Sequence, residues 1–115
     1  MQLFEIIGNL GRDAEYKKNQ QGGEFVTFTV AVTKVMKNRD TGETTKKTTW
    51  IECSRNGRQN VDQYLKAGVK VFCRGEAKAR AYKNQQGDAI GSLGMRVMEI
   101  ELLGKPSEKL DETPF

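Results

Sequence analysis

The sequence predicts an all-β fold, a partly open five-stranded barrel with one short helix between its third and fourth strands. Two observations predict it. The first is a set of β-branched, alternating segments, clearest at Glu24-Phe25-Val26-Thr27-Phe28-Thr29-Val30-Ala31-Val32-Thr33, where Val26, Phe28, Val30 and Val32 fall on one face and Thr27, Thr29 and Thr33 fall on the other with Phe25. The second is the order of elements, three strands, a helical stretch, then two strands, which is the plan of the OB-fold, a Greek-key barrel that binds oligonucleotides. An SH3-like barrel has no place for the helix.

The elements follow in order. Gln2 to Ile7 reads as the first strand, ended by Gly8-Asn9-Leu10-Gly11. Arg12 to Lys18 is short and polar, and Asn19-Gln20-Gln21-Gly22-Gly23 is a turn. The second strand, Glu24 to Thr33, leads to a cation-rich hairpin loop over Lys37–Lys47 with Asn38-Arg39-Asp40-Thr41-Gly42 at its centre. Thr48 to Arg55 is the third strand. Asn56 to Ala67 is the helix, with Val61, Tyr64 and Leu65 as its apolar face and Gly68 as its stop. Val69 to Lys78 is the fourth strand, Asn84-Gln85-Gln86-Gly87-Asp88 a second turn nearly identical to the first, and Met95 to Leu103 the fifth strand. Residues 1–104 thus form one domain. Residues 105–115, with two prolines, mixed charge and no periodicity, read as a short disordered acidic tail.

A chain of 115 residues with 37% apolar and 30% charged residues is one soluble globular domain. No apolar run approaches the roughly 20 residues that span a bilayer, so no membrane association is expected. The N-terminus lacks the basic and apolar regions of a signal peptide, and a cytoplasmic location is expected. With no histidine and only Cys53 and Cys73, far apart in sequence, there is no ligand set for structural zinc, and the cysteines read as small buried hydrophobes. No Walker or dinucleotide motif and no marked carboxylate pair are present. No cofactor, metal or catalytic residue is therefore expected, and the chain is not read as an enzyme.

The net charge of +4 is modest, but its distribution is uneven. Residues 66–83 hold Lys66, Lys70, Arg74, Lys78, Arg80 and Lys83 against Glu76; residues 34–47 hold Lys34, Lys37, Arg39, Lys46 and Lys47 against Asp40 and Glu43. The last eleven residues reverse sign. A basic body points to a polyanionic partner, although a single lysine-rich stretch is equally a solvated surface.

Strand alternation places Ile51 and Cys53 on the core face and Trp50 outside with Glu52 and Ser54. An exposed tryptophan beside cations suits sequence-neutral single-strand binding, because every base has a π-face and phosphates pair with Lys and Arg. A Trp50 covered by the barrel, or by a subunit contact, is the alternative. Tyr82, between Arg80 and Lys83 near a turn, is a second stacking candidate, or an ordinary hairpin tyrosine packed on its cross-strand neighbour. Val69, Val71 and Cys73 alternate inward, leaving Lys70, Phe72, Arg74 and Lys78 outward; Phe72 could stack on a base or sit in a subunit interface, and the interface is preferred. Arg12 is a phosphate-reaching candidate in a turn.

The runs Ile7-Gly8-Asn9-Leu10-Gly11-Arg12-Asp13, Gly22-Gly23, Thr41-Gly42-Glu43, Thr49-Trp50, Tyr64-Leu65-Lys66-Ala67-Gly68 and Val71 to Gly75 resemble the bacterial single-stranded DNA-binding protein (SSB) family over residues 1–104. The resemblance implies sequence-independent binding that protects single-stranded DNA in replication, recombination and repair. It implies stacking aromatics at four places. Trp50 and Tyr82 fill two of them, while Met36 and Asn56 stand at the others, where a thioether can lie on a base and an amide can only hydrogen-bond. Phosphate and polar contacts are expected from Arg12, Lys34, Lys37, Arg39, Lys46, Lys47, Arg55, Asn56, Arg58, Lys78, Arg80 and Lys83. The resemblance further implies a homotetramer, with a dimer as the alternative, using Lys70 and Phe72. It also implies recruitment of replication and repair proteins by the tip Asp111-Glu112-Thr113-Pro114-Phe115, where the aromatic enters an apolar pocket and the acids meet a basic rim. A frayed end is the alternative for the tip.

Overall fold

The structure, a computed structural model, describes residues 2–104. Its strands are β1 (Leu3–Leu10), β2 (Glu15–Lys18), β3 (Glu24–Lys37), β4 (Thr44–Asn56), β5 (Lys70–Lys83) and β6 (Ala89–Gly104). They form one sheet in the order β1-β5-β6-β4-β3-β2, which rolls until β1 also meets β3. The closure is narrow: only Asn9↔Ala31 and Leu10↔Val30 pair there. Gly8 is required at this point, because a Cβ on it would run into the carbonyl of Ala31. On the other side of the ring β4 and β6 run parallel over Ile51–Ser54 and Leu93–Arg96. This is the expected OB-type barrel, incompletely closed and with one additional edge strand, β2.

Alternation builds the core. Val26, Phe28 and Val30 from β3, Ile51 and Cys53 from β4, Val71 and Cys73 from β5, and Met95 and Val97 from β6 all point inward and are buried. Ile6 and Leu10 from β1 and Leu65 join the same cluster. Both cysteines are free and buried, as read from sequence. The neighbouring Cys73 thiol and burial push the Cys53 thiol far up, so it stays neutral and inert.

Three differences from the sequence reading matter for the site. The strands are longer than expected. β3 and β4 stay paired out to Lys37↔Thr44, and β5 and β6 out to Lys83↔Ala89, so the cation-rich loop is mostly a β-arm whose turn is only 38–43. Beyond Val32 and Thr49 every residue of the first arm is exposed. The short polar segment after Arg12 becomes β2, paired with β3 through Glu15↔Thr27 to Lys18↔Glu24.

The expected helix over Asn56–Ala67 is reduced to one 3-10 turn, Asn60–Tyr64. Asn56 still belongs to β4, and Gly57 then turns the chain at φ +82. Of the expected apolar face, Leu65 is buried, Val61 is half-buried and Tyr64 is exposed. The turn's inward residue is instead Asp62, which accepts the Gln59 amide at 2.9 Å and the Tyr16 hydroxyl at 2.7 Å and pairs with Arg55. Gly68 does release the chain at positive φ, and its backbone is bonded to Leu10 and to the Asn9 side chain.

Candidate nucleic-acid interface

Trp50 sits on the outer face of β4, opposite Ala31 of β3 and one residue before β4 begins its parallel pairing with β6. Its side chain is 55% exposed, so the barrel does not close over it. What holds the ring is Gly11. A Cβ on Gly11 would lie 2.6 Å from Cζ3 and 3.2 Å from Cη2 of the indole, so the ring rests on backbone left bare by the glycine. The bend after β1 is therefore the seat of the tryptophan, and Arg12 follows it as an exposed side chain.

The β4–β6 pairing swings the β5–β6 arm alongside. Between arm and barrel runs a groove of about 640 Å³, lined by Trp50, Thr48 and Glu52 on one side and by Arg80, Tyr82 and Ser92 on the other, among other residues. Tyr82 is 57% exposed and pairs across the arm with Ile90. Two exposed aromatics and a guanidinium thus share one groove. Base faces can lie on Trp50 and Tyr82 while Arg80 meets a phosphate; Glu52, inside the same groove, repels phosphate and favours bases there.

The remaining expected contacts divide by position. Met36 is 43% exposed but is not part of the groove lining; it pairs with Thr45 far out on the β3–β4 arm, on the alternation face opposite Trp50's. Lys34 and Lys47 are direct cross-strand partners on that arm, with Lys46 next to them, Lys37 three residues further out opposite Thr44 and Arg39 in its turn, all exposed. Two lysines opposite one another repel, and a bound polyanion relieves that repulsion. Lys78 and Lys83 are exposed on β5, opposite Gly94 and Ala89. Asn56 ends β4, exposed, opposite Phe25.

Arg55 requires a correction. Expected at a phosphate, it is 5% exposed, faces the core and pairs with Asp62, itself 6% exposed. β4 alternation puts it on the face of Ile51 and Cys53, and its charge is matched inside the protein. Burial works against the Asp62 carboxylate, but the Gln59 amide, the Tyr16 hydroxyl and Arg55 outweigh it and hold Asp62 below the ordinary aspartate value. The same hydrogen bond to Asp62 raises the Tyr16 phenol. Arg58 is exposed but engaged: it pairs with Glu24 and lies over the Tyr16 ring, 3.9 Å from the centroid. The Arg58 hydrogen bond lowers Glu24 and raises Arg58.

On the outer face of β5, Phe72 is half-buried opposite Ile7, which is 52% exposed, with Leu3 at 49% further along β1. Lys70 is half-buried opposite Asn9. The tip Asp111–Phe115 lies outside the described residues.

Comparison with known proteins bears on this geometry. A model of the single-strand binding protein family matches residues 1–103. The chain belongs to the single-strand binding protein family. Curated relatives in the family include single-stranded DNA-binding protein 1 of Xylella fastidiosa (strain 9a5c), 30% identical over 107 residues that make up 91% of this chain and 79% of the relative. Another is the single-stranded DNA-binding protein of Rhizobium meliloti (strain 1021), 29% identical over 86 residues, 72% of this chain and 49% of that one. Solved structures agree on the fold. The small single-stranded DNA-binding protein of Streptomyces coelicolor superposes with a TM-score of 0.69 at 23% identity, covering 87% of this chain and 92% of the other. A Plasmodium falciparum SSB complex with ssDNA gives 0.70 at 22%, covering 90% and 95%. Membership in this family makes the chain a binding protein rather than an enzyme.

Sequence reasoning missed two features of the site. In sequence Gly11 only ends the first strand, and no signal ties it to the tryptophan 39 positions later. The second is the pairing of Phe25 with Asn56 and Lys17, which follows only once the strand register is known.

Proposed function

We propose that the chain binds single-stranded DNA without sequence preference. The observation that carries this is Trp50: a large exposed indole, seated on glycine backbone, in a groove that also holds Tyr82 and Arg80. Such a surface offers stacking to any base and has no base-edge code, while the arms offer cations to phosphates. Titration with oligo-dT should quench Trp50 fluorescence, and Trp50→Ala should weaken binding by about 1–3 kcal/mol, the range general to single-strand binders of this kind. Unquenched fluorescence together with unchanged affinity in the alanine variant would refute the reading.

Within that function, the chain protects exposed strands in cytoplasmic DNA replication, recombination and repair. The exposed apolar pair Ile7 and Leu3 beside Phe72 supports assembly of copies through the β1–β5 face, with Phe72 and Lys70 in the contact. Four copies are the preferred assembly and two the alternative, and light scattering decides between them. The acidic and aromatic run Asp111-Glu112-Thr113-Pro114-Phe115 recruits replication and repair proteins, by the chemistry of an aromatic in an apolar pocket with acids on a basic rim. Removal of Phe115 should abolish recruitment and leave oligo-dT affinity intact.

A further inference from the structure

We propose that Phe25 is a second base-contacting aromatic on the Trp50 face, completing a path along β4; the proposal rests on the single-strand binding reading above. The register sets the geometry. Ala31↔Trp50, Thr29↔Glu52, Thr27↔Ser54 and Phe25↔Asn56 are successive outward pairs of β3 and β4. Phe25 and Trp50 are the two aromatics on that face of β2, β3 and β4. Val26 and Phe28 of the same strand are buried, but Phe25 itself is only half-buried and stands outside the hydrophobic cluster. On either side it faces polar, exposed residues: Lys17 across β2 and Asn56 across β4.

The position is also fixed. The Gly57 amide donates to the Glu24 carbonyl at 2.9 Å, and Glu24 holds Arg58, so the end of β4 is tied to the residue next to Phe25. A ring on rigid backbone, with an ammonium across one strand pair, presents the same chemistry as Trp50 beside Arg80: a face for a base and a cation for the phosphate. A cross-strand lysine stem can cover part of a ring at this register, but that does not account for an aromatic placed on the polar side of the sheet. Six residues of strand separate Trp50 from Asn56, about 20 Å, or about six nucleotides at the 3.4 Å spacing of a stacked strand. One bound strand of that length reaches both rings.

The length dependence supplies the test. Phe25→Leu keeps an apolar side chain against Lys17 and removes the ring; Phe25→Tyr keeps the ring. Trp50 fluorescence titrations would use dT3 and dT15, with thermal melts as a check on folding. The expected result for Phe25→Leu is a loss of about fivefold or more in dT15 affinity, the lower end of the stacking range, with dT3 binding at Trp50 unchanged. Phe25→Tyr should bind dT15 as the parent does. Adding Asn56→Phe to Phe25→Leu should restore dT15 affinity, because it returns an aromatic to the neighbouring position, which a packing role would not do. Equal losses at both lengths, no loss at dT15, or no restoration would overturn the proposal. If the parent protein itself fails to quench with dT15, the single-strand reading fails instead, and the two failures are distinguishable.

Discussion

Replacing Gly11 by alanine should damage binding without damaging the fold. The added Cβ would lie 2.6 Å from Cζ3 of Trp50, about 1 Å inside van der Waals contact, so one of the two must give way. The backbone at Gly11 is not the part that yields. It is bonded to Thr29 through its amide at 3.0 Å, and its φ lies outside the left-handed region, so alanine fits the local conformation. The indole yields, being more than half exposed and rotatable about two side-chain torsions. On the stability side, alanine removes conformational freedom from the unfolded chain, worth about 0.4–1 kcal/mol in favour of folding. Against this stands the lost contact between ring and backbone, of similar size, so the melting temperature should move little. On the binding side, an indole displaced by about 1 Å or turned to another rotamer no longer presents its face where the groove receives a base. Up to the full stacking contribution of about 1–3 kcal/mol is then forfeited.

The assay is a double-mutant cycle of Gly11→Ala with Trp50→Ala, read by oligo-dT affinity and by thermal melts on the same samples. Trp50→Ala should reproduce most of the affinity loss of the pair, and Gly11→Ala should have little further effect once the indole is gone. Full additivity of the two losses would refute the idea that Gly11 acts through Trp50. So would a melting temperature that collapses in Gly11→Ala alone, since that would make the glycine a structural requirement of the barrel.

Three further outcomes follow from the same geometry. Arg80→Ala should lower the slope of log affinity against log salt by about 0.7, the value for one phosphate contact on a single strand, and an unchanged slope would remove Arg80 from the interface. Lys34→Glu replaces a like-charged cross-strand pair with Lys47 by an opposite one; at low salt it should stabilise the fold by on the order of 1 kcal/mol while weakening oligo-dT binding, measured by denaturant titration and fluorescence. Asp62→Ala strands the buried Arg55 charge and should cost about 3–5 kcal/mol in urea unfolding. Because the folded-state value of Asp62 is depressed, its contribution in the parent should be complete well above about pH 4, where the unfolded aspartate is ionised, and should be lost progressively as pH falls from there through the lower folded value.

The fold was legible where alternation and turn chemistry speak plainly. The two near-identical turns show it best. Asn19 Oδ1 accepts the amides of Gln21 and Gly23, Asn84 Oδ1 accepts those of Gln86 and Asp88, and Gly22 and Gly87 take φ +84 and +85. The helix was misread because Val61, Tyr64 and Leu65 have helical spacing, while the contacts that decide the segment are long-range: Asp62 reaches Tyr16 and Arg55, and Asp13 accepts the Ala67 amide at 2.8 Å. Arg55 was within reach of sequence reasoning. The alternation that turns Ile51 and Cys53 inward turns Arg55 inward too, and a buried arginine demands an acid, which Asp62 supplies seven residues on. The strand lengths were not legible, because the arm residues lack an apolar face and look like loop until the register pairs them.

The ion pairs sharpen where a polyanion can be held. On the barrel, Arg55 is matched by Asp62, Arg58 by Glu24, Lys66 by Asp13 at 3.8 Å and Arg74 by Glu99 at 4.0 Å. Other exposed cations lie on the arms, Lys34, Lys37, Lys46 and Lys47 on one and Lys78, Arg80 and Lys83 on the other, and on the barrel at Arg12, Lys17, Lys18 and Arg96. The outward face between them carries Trp50 and Phe25 but also Glu52, a group that no phosphate approaches without cost. A strand bound in this way turns its bases toward β4 and its phosphates toward the cations that flank it, on the arms and at Lys17. Charge then sets how tightly and how salt-sensitively the strand is held, and the aromatics set where its bases lie. That division explains how a chain of net charge only +4 can serve a polyanion, because seven exposed cations sit on the two arms while four barrel cations are matched by acids.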